Sequence, residues 1–579
     1  MDDYVLIAGP LDQPALRCRL EAIKLTKAWR WALQSKRFWL AVRTQRPARC
    51  APFWSGSGLG VGDVVGLPLP AHADPGAGAA FERRALTLAG SVISNSWGRY
   101  VLVVTDVDGE TVAVFRDPSG AQEALLSSLY GAAVVTSQPP AWLRSQLDRA
   151  LSVDLDRAAI LLADAAAFSG PPPLQGLDWV APGQLAVRAA RGRLTSELLW
   201  RPGRIAAADP APHGAAARLL LERSVDRAVA GLLGDCSPAL VEISGGLDSA
   251  VVAAAVAQAS AAPVTGLNFY GDHALADERA YARAVAETLG VDLLFKPRQS
   301  APWTEAVVHE ASRGMRPAPS GLDAARIATV ADVVRERGFS AVFTGQGGDA
   351  ALLQQPSAAI FADQWRAQGV SSLCNGALTA SARRLKRSVW SVGWEALAPG
   401  RRMRPATSPL VSREGRRLNA LPPHPWVQDA EGLGPAKRLQ VSALVTAQAA
   451  YHNPLARQVD VIHPLLSQPV LESCLTIPAW ELGGPRDRHL AREAFRARLP
   501  ESVYRRGSKG DLTAFFGQAI RDSLSFIRPF LMDGRLAAAG ILDRDALDAA
   551  LDPDQLLWKG GYQHIARAVA VEGWVSHWR

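Results

Sequence analysis

The segment Ala239-Leu240-Val241-Glu242-Ile243-Ser244-Gly245-Gly246-Leu247-Asp248-Ser249 constrains this chain more than any other. A short apolar run, suited to a buried strand, passes through two glycines into the Ala/Val-rich stretch 250–262, suited to a helix. Strand, glycine turn and helix in that order make a place to hold phosphate. The glycines allow a sharp turn and close backbone approach, while exposed N–H groups and the positive helix end face the anion. Ser244 and Ser249 add hydroxyl donors, and Asp248 offers an oxygen ligand for the Mg²⁺ that accompanies a polyphosphate. The segment lacks the Gly-Lys-Ser/Thr ending of a loop built for γ-phosphate transfer, so a different cleavage of the polyphosphate is expected.

Beyond residue 214 the pattern alternates between apolar strands at 240–243, 264–269, 293–295 and 341–343 and helical runs such as 278–289 and 325–337. That alternation predicts a doubly wound parallel sheet with ligands at the carboxyl ends of its strands. The fourth strand runs into Thr344-Gly345-Gln346-Gly347-Gly348-Asp349, a second Gly-rich turn ending in an acid. In such a sheet the two turns can lie side by side. Gly345 and Gly347 would then join Ser244, Gly245, Gly246 and Ser249 around the nucleotide phosphates, and Asp248 and Asp349 would share Mg²⁺. Lys509, in Tyr504-Arg505-Arg506-Gly507-Ser508-Lys509-Gly510, is placed either to stabilise transition-state charge or to stand as an ordinary surface residue.

A chain of 579 residues exceeds one core, and two domains are expected. The first 200 or so residues are rich in short β-like runs, at 5–7, 100–104, 111–115 and 132–136, with Asp108-Gly109 marking a hairpin turn. The Ala/Pro-rich stretch around 205–214 reads as a linker, giving domains at 1–203 and 215–579 joined by 204–214. Cys18, Cys50, Cys236, Cys374 and Cys474 have neither CxxC spacing nor even number, so no zinc cluster or disulfide framework is expected and a reducing cytoplasm fits. No basic leader and no apolar run long enough to span a bilayer is visible. The formal charge of +8 is uneven, with a basic run at 383–417 that is either a solvated face or an attractor of acidic peptide or nucleic acid. Trp390 and Trp394 within it suit base stacking or half-buried anchoring equally.

The first loop resembles the pyrophosphate loop of enzymes that split ATP between its α and β phosphates and leave AMP on a substrate. The whole order of motifs resembles the asparagine synthetase superfamily. Trp97-Gly98-Arg99-Tyr100, Arg116-Asp117-Pro118-Ser119-Gly120 and Val180-Ala181-Pro182-Gly183 are similar to landmarks of its N-terminal class II glutaminase-like (Ntn-type) domain, a β-rich sandwich. Both Gly-rich turns, His463-Pro464-Leu465-Leu466, Arg488-His489-Leu490-Ala491-Arg492 and 505–509 follow in the order of its synthetase domain. The resemblance implies an α/β protein that uses ATP and Mg²⁺ to make an amide.

Two departures direct the expected chemistry. A class II glutaminase needs a cysteine exposed after Met1, whose thiolate attacks glutamine, and position 2 is Asp2. The nucleophile is therefore expected to be another amine, as in two branches of the superfamily without that cysteine, β-lactam synthetases and lasso peptide macrolactam synthetases. β-Lactam synthetases carry a tyrosine of the catalytic base where this chain has Gln346. Trp97 to Tyr100, the Gly347-Gly348-Asp349 ending and the closing 558–562 segment with Trp574 resemble lasso cyclases, and Ser467 departs from the aspartate usual in asparagine synthetases. The resemblance thus implies a lasso peptide cyclase with Lys509, Asp248 and Asp349 as its catalytic residues, a core peptide as substrate, and a leader peptidase and leader-binding protein as partners. No nucleic-acid partner is expected. A β-lactam or other small-molecule synthetase, a tRNA-modifying pyrophosphatase and a non-catalytic nucleotide-binding regulator stay open.

Overall fold

The computed structural model describes the chain except residues 1–2, 45–47, 73, 190–192, 235, 237, 272–276, 398–407, 418–422, 508–511, 555, 557–560 and 579. It separates into two units: Met1–Asp154 with Gly170–Arg201 and Trp578–Arg579, and Leu155–Ser169 with Pro202–His577.

The first unit holds two six-stranded antiparallel sheets. One centres on Tyr4–Ala8, paired on either side with Phe38–Arg43 and Ala132–Thr136, and the other on Ser96–Thr105, paired with Gly58–Gly66 and Val112–Arg116. Strand alternation explains the stacking. Tyr4, Leu6 and Ala8 share one buried cluster with Val101, Val103 and Val114 of the other sheet, whereas Val5 and Ile7 face the opposite side, beside Leu20 of the helix Pro14–Glu21. Phe81, Ala85, Leu88 and Val92 recur at helical spacing along Gly78–Asn95 and cover Tyr100, Leu102 and Phe115 on the outer face of the second sheet. The Asp108-Gly109 turn joins two of these strands, with Gly109 at φ +76° and its N–H donating to the Asp106 carbonyl.

The Arg116-Asp117-Pro118-Ser119-Gly120 segment acts as an internal brace. Arg116 and Glu123, both buried, form an ion pair at 2.8 Å, and Arg116 also donates to the carbonyls of Gln122, Val180 and Gly120. Burial pushes the neighbouring Asp117 carboxyl up to about 6, against the Ser119 hydroxyl, Arg116 and backbone donors that favour its charge.

The second unit is built on a five-stranded sheet in the order Asp292–Pro297, Thr265–Tyr270, Ala239–Glu242, Ala341–Phe343, Asp460–Ile462, parallel throughout. The chain winds outward to one side of Ala239–Glu242 and then to the other, so the strand order reverses there and leaves a crevice at the carboxyl edge. The helix Leu247–Ala259 is apolar nearly all round because it lies inside the unit, with the residues from Leu247 to Val256 all buried. Among the described residues no helix is long and apolar enough to cross a membrane.

The expected division at 1–203, 204–214 and 215–579 is corrected in two places. Leu155–Ala163 is a helix whose buried Ala158, Leu161 and Leu162 serve the second unit, packed on the helix Tyr562–His577. The supposed linker begins within the helix Pro202–Ala206, pinned by the Gly203 N–H donating to Asp429 at 2.7 Å, and ends as Gly214 opens the helix Gly214–Leu233. Alanine- and proline-rich composition marks short helices here as well as it marks loops.

Removing one partner of a buried pair leaves the other charge stranded, which typically costs about 3–5 kcal/mol. Arg116→Met is therefore expected to lower the stability of the first unit by about that amount, read as an earlier transition in urea denaturation followed by circular dichroism.

Candidate functional site

The first Gly-rich turn is ordered by its own serines. The Ser244 N–H donates to Ser249 Oγ at 3.1 Å, the two hydroxyls lie 3.1 Å apart, and Ser249 Oγ donates to the Gly246 carbonyl. Asn268, buried on the neighbouring strand, donates to the Ile243 carbonyl and fixes the strand end that feeds the turn. Gly245 sits at φ +78°, where a Cβ would come within 2.9 Å of Tyr281 Cβ. Gly246 precedes the helix Leu247–Ala259, with Asp248 in its first turn.

The second turn begins at Thr344, whose hydroxyl is hydrogen-bonded to His463 Nδ1 at 2.7 Å and accepts from the Gln346 N–H. Gly347, in the left-handed region at φ +89°, leads into the short helix Gly348–Ala351. Gln440 donates to the Ala351 carbonyl and is itself held by the buried Lys437, which stabilises the far end of that helix. The two turns touch: a Cβ on Gly345 would lie 2.6 Å from the Ser249 nitrogen, and one on Gly348 would lie 2.6 Å from Asp248 Cβ.

This contact brings Asp248 and Asp349 to one cation, a role taken in the structure by Arg488. Its Nη1 donates to Asp248 Oδ2 at 2.6 Å and to Asp349 Oδ1 at 3.3 Å. Its Nε and Nη2 both donate to Asp487 Oδ2, at 3.0 and 2.8 Å. Burial opposes the Arg488 charge, but Asp248, Asp487 and Asp349 outweigh it and hold the guanidinium above its ordinary value. Burial likewise raises Asp487, and Arg488 with Arg492 more than reverses that, leaving the carboxyl below its usual range. Two carboxylates converging on one positive centre suit Mg²⁺, which keeps phosphate and water among its ligands. Among the described residues no group of three or more His, Cys, Asp or Glu is placed to hold a metal ion.

Arg506 braces the first turn from outside, donating to the Gly245 carbonyl at 2.9 Å, pairing with Glu278 and stacking over Tyr281. Lys509 follows three positions later and lies outside the described residues, as do Asp2 and 558–560. Of the basic run, Arg384 reaches the cleft and donates to the carbonyls of Gly483 and Gln354, while Trp390 and Trp394 are exposed rather than half-buried. In the sequence Arg488 stands only as the first residue of the Arg488-His489-Leu490-Ala491-Arg492 motif. Its bridging position depends on Asp248 and Asp349, 240 and 139 residues away, and no local signal reports it.

The cleft around these groups has a volume of about 820 Å³. Six acids line it, and each is paired with arginine: Glu242 with Arg326, Glu278 with Arg506, Asp323 with Arg298, Asp487 with Arg488 and Arg492, and Asp248 and Asp349 with Arg488. The described lining includes no His, Lys, Tyr or Cys. Its arginines make it rich in groups that hold anions.

Residues 218–578, more than half of the chain, match the family described as asparagine synthase. The chain belongs to the asparagine synthase family. That membership makes it an ATP-dependent amide-forming synthetase, a class that generally uses Mg²⁺ with its ATP. No curated protein matches this asparagine synthase family member. Two solved structures share 11% identity with it. Glutamine phosphoribosylpyrophosphate amidotransferase from B. subtilis complexed with ADP and GMP matches over 59% of this chain and 75% of its own, with a TM-score of 0.18. An allosteric regulatory enzyme of purine biosynthesis matches over 52% and 76%, with a TM-score of 0.17.

Gly345→Ala should push the two turns apart, since its Cβ would meet backbone at 2.6 Å. ATP-dependent turnover is expected to fall on the order of 10²-fold, as for misplacement of about 1 Å in a positioned site. Gly432→Ala, where a Cβ meets open space, should leave both turnover and melting temperature unchanged.

Proposed function

We propose that this asparagine synthase family member is a lasso peptide cyclase. It adenylates the side-chain carboxylate of an Asp or Glu in a leader-cleaved core peptide, releasing pyrophosphate. The peptide's N-terminal amine then attacks the activated carbonyl, closing a macrolactam and releasing AMP. A leader peptidase and a leader-binding protein would deliver the peptide.

The observation that carries this reading is the pairing of every acid in the described lining with arginine. A carboxylate whose oxygens are engaged by a guanidinium can take a proton only by breaking that pair, which makes it a poorly placed general base. Gln346 in the second turn adds none. Such a cleft suits a nucleophile that arrives already neutral. An α-amine, with a reference pKa of about 7.7–8.0, meets that condition near neutral pH far better than a lysine side chain at about 10.4.

In this reading Ser244, Gly245, Gly246 and Ser249, with Gly345 and Gly347, cradle the polyphosphate through backbone N–H groups and hydroxyls. Asp248 and Asp349 would hold Mg²⁺, which neutralises charge on the departing pyrophosphate. Lys509 would stabilise the negative charge that develops in both steps, acting as a preorganised donor. Arg506 holds the first turn in the shape the phosphates need.

Incubation with ATP and a leader-free peptide bearing an acidic residue should give pyrophosphate, AMP and a product lighter by one water, whose tail resists carboxypeptidase. Pyrophosphate release with small amino acids alone, and none with peptide, would favour a β-lactam-type synthetase instead. Lys509→Met should reduce cyclisation on the order of 10²–10³-fold, as loss of one preorganised donor does, with ATP affinity little changed. Wild-type cyclisation by Lys509→Met would make that lysine a surface residue.

A further inference from the structure

Arg488 stands where a divalent cation would stand, and its surroundings allow it to leave. The guanidinium is divided between two tasks. Nε and Nη2 are anchored on Asp487, which Arg492 grips through Nη2 at 3.1 and 3.0 Å, while Arg492 Nη1 donates to the carbonyls of Val503 and Tyr504. Nη1 alone bridges the two turns, to Asp248 and Asp349. The side chain is only 6% exposed, and the residue occupies the left-handed region at φ 50°, ψ 39° ahead of the helix His489–Ala494. A non-glycine residue persists there only when its surroundings hold it. Asp487 and Arg492 supply that hold without involving either turn.

We propose that Arg488 is a built-in counter-ion of the metal site, exchanging with the divalent cation that enters between Asp248 and Asp349. The inference rests on reading those two aspartates as the metal pair. A cation drawing on the same two carboxylates must displace Nη1, so its observed affinity is its intrinsic affinity multiplied by the fraction of molecules in which Arg488 has withdrawn. Asp487 retains the other side of the guanidinium as a pivot, and the freed Nη1 stays in the cleft facing whatever anion is bound. A triphosphate arriving with the cation offers that anion. The exchange therefore couples metal to nucleotide: the metal alone binds weakly, and metal with polyphosphate binds well. It also gives the buried Asp248 carboxylate a counter-charge in the resting protein.

The test measures Mn²⁺ binding to the full chain without ATP or peptide, counting free Mn²⁺ by electron paramagnetic resonance during titration with MnCl₂. Arg488→Met should bind one Mn²⁺ at least tenfold more tightly than wild type, and Arg488→Met combined with Asp248→Asn should lose that gain. Arg488→Lys, which keeps a charge but not the fork that bonds Asp487 and the aspartates together, should fall between wild type and Arg488→Met. If Arg488→Met fails to fold by circular dichroism, Arg488→Lys decides: tighter Mn²⁺ binding than wild type supports the exchange. Equal or weaker affinity in the folded variant overturns it. Because no peptide enters the assay, failure of the cyclase reading leaves this result standing, and failure of the exchange leaves peptide-dependent pyrophosphate release untouched.

Discussion

Close approach of two glycine turns is the contact on which the site depends. Gly345 lies against the Ser249 backbone and Gly348 against the Asp248 side chain, at distances no Cβ tolerates. Parallel pairing of Ala239–Glu242 with Ala341–Phe343 sets the turns side by side, and the missing side chains let them touch. Asp248 and Asp349 thereby converge on a single guanidinium nitrogen. Bulk at either glycine would separate the carboxylates and remove the one place where a single cation can meet both.

Charge pairing then gives the cleft its chemical character. Arginine is always protonated, and its planar fork binds carboxylate and phosphate equally well. A cleft whose described acids are all matched by arginines presents an array of donors that can be transferred from carboxylate to phosphate as ligands arrive. Arg488 is the member positioned to make that transfer, and Arg506 is the member that stays, tying the Gly245 carbonyl to Glu278. The same pairing engages every acid of the described lining, and in the proposed reaction the peptide's own amine arrives already neutral.

Much of the sheet was legible because its strands and turns are local signals. The 341–343 run was read as a strand and is one, and the runs near 240 and 265 differ by a residue or so at their ends. The fifth strand, Asp460–Ile462, escapes the sequence because, unlike Ala341–Phe343, it opens on a charged residue and no Gly-rich turn follows it; it pairs with Ala341–Phe343. Leu155–Ala163 belongs to the second unit although nothing local marks a segment that leaves one core, fills another and returns. The glycines and aspartates of the site announced themselves through spacing. The arginines that define its electrostatics did not, since Arg298, Arg326 and Arg506 each pair with acids 25 to 228 residues away, and an arginine in sequence shows no partner.

The central claim is that a peptide side-chain carboxylate is activated as an adenylate and captured by the peptide's own amine. Oxygen-18 in that carboxylate tests it most directly, because the oxygen that attacks the α-phosphorus leaves on AMP when the amide forms. With a leader-free peptide labelled in its Asp or Glu side chain, mass spectrometry should find one ¹⁸O in AMP for each macrolactam made. Macrolactam formed with unlabelled AMP, or with the label in ADP or inorganic phosphate, would contradict the account.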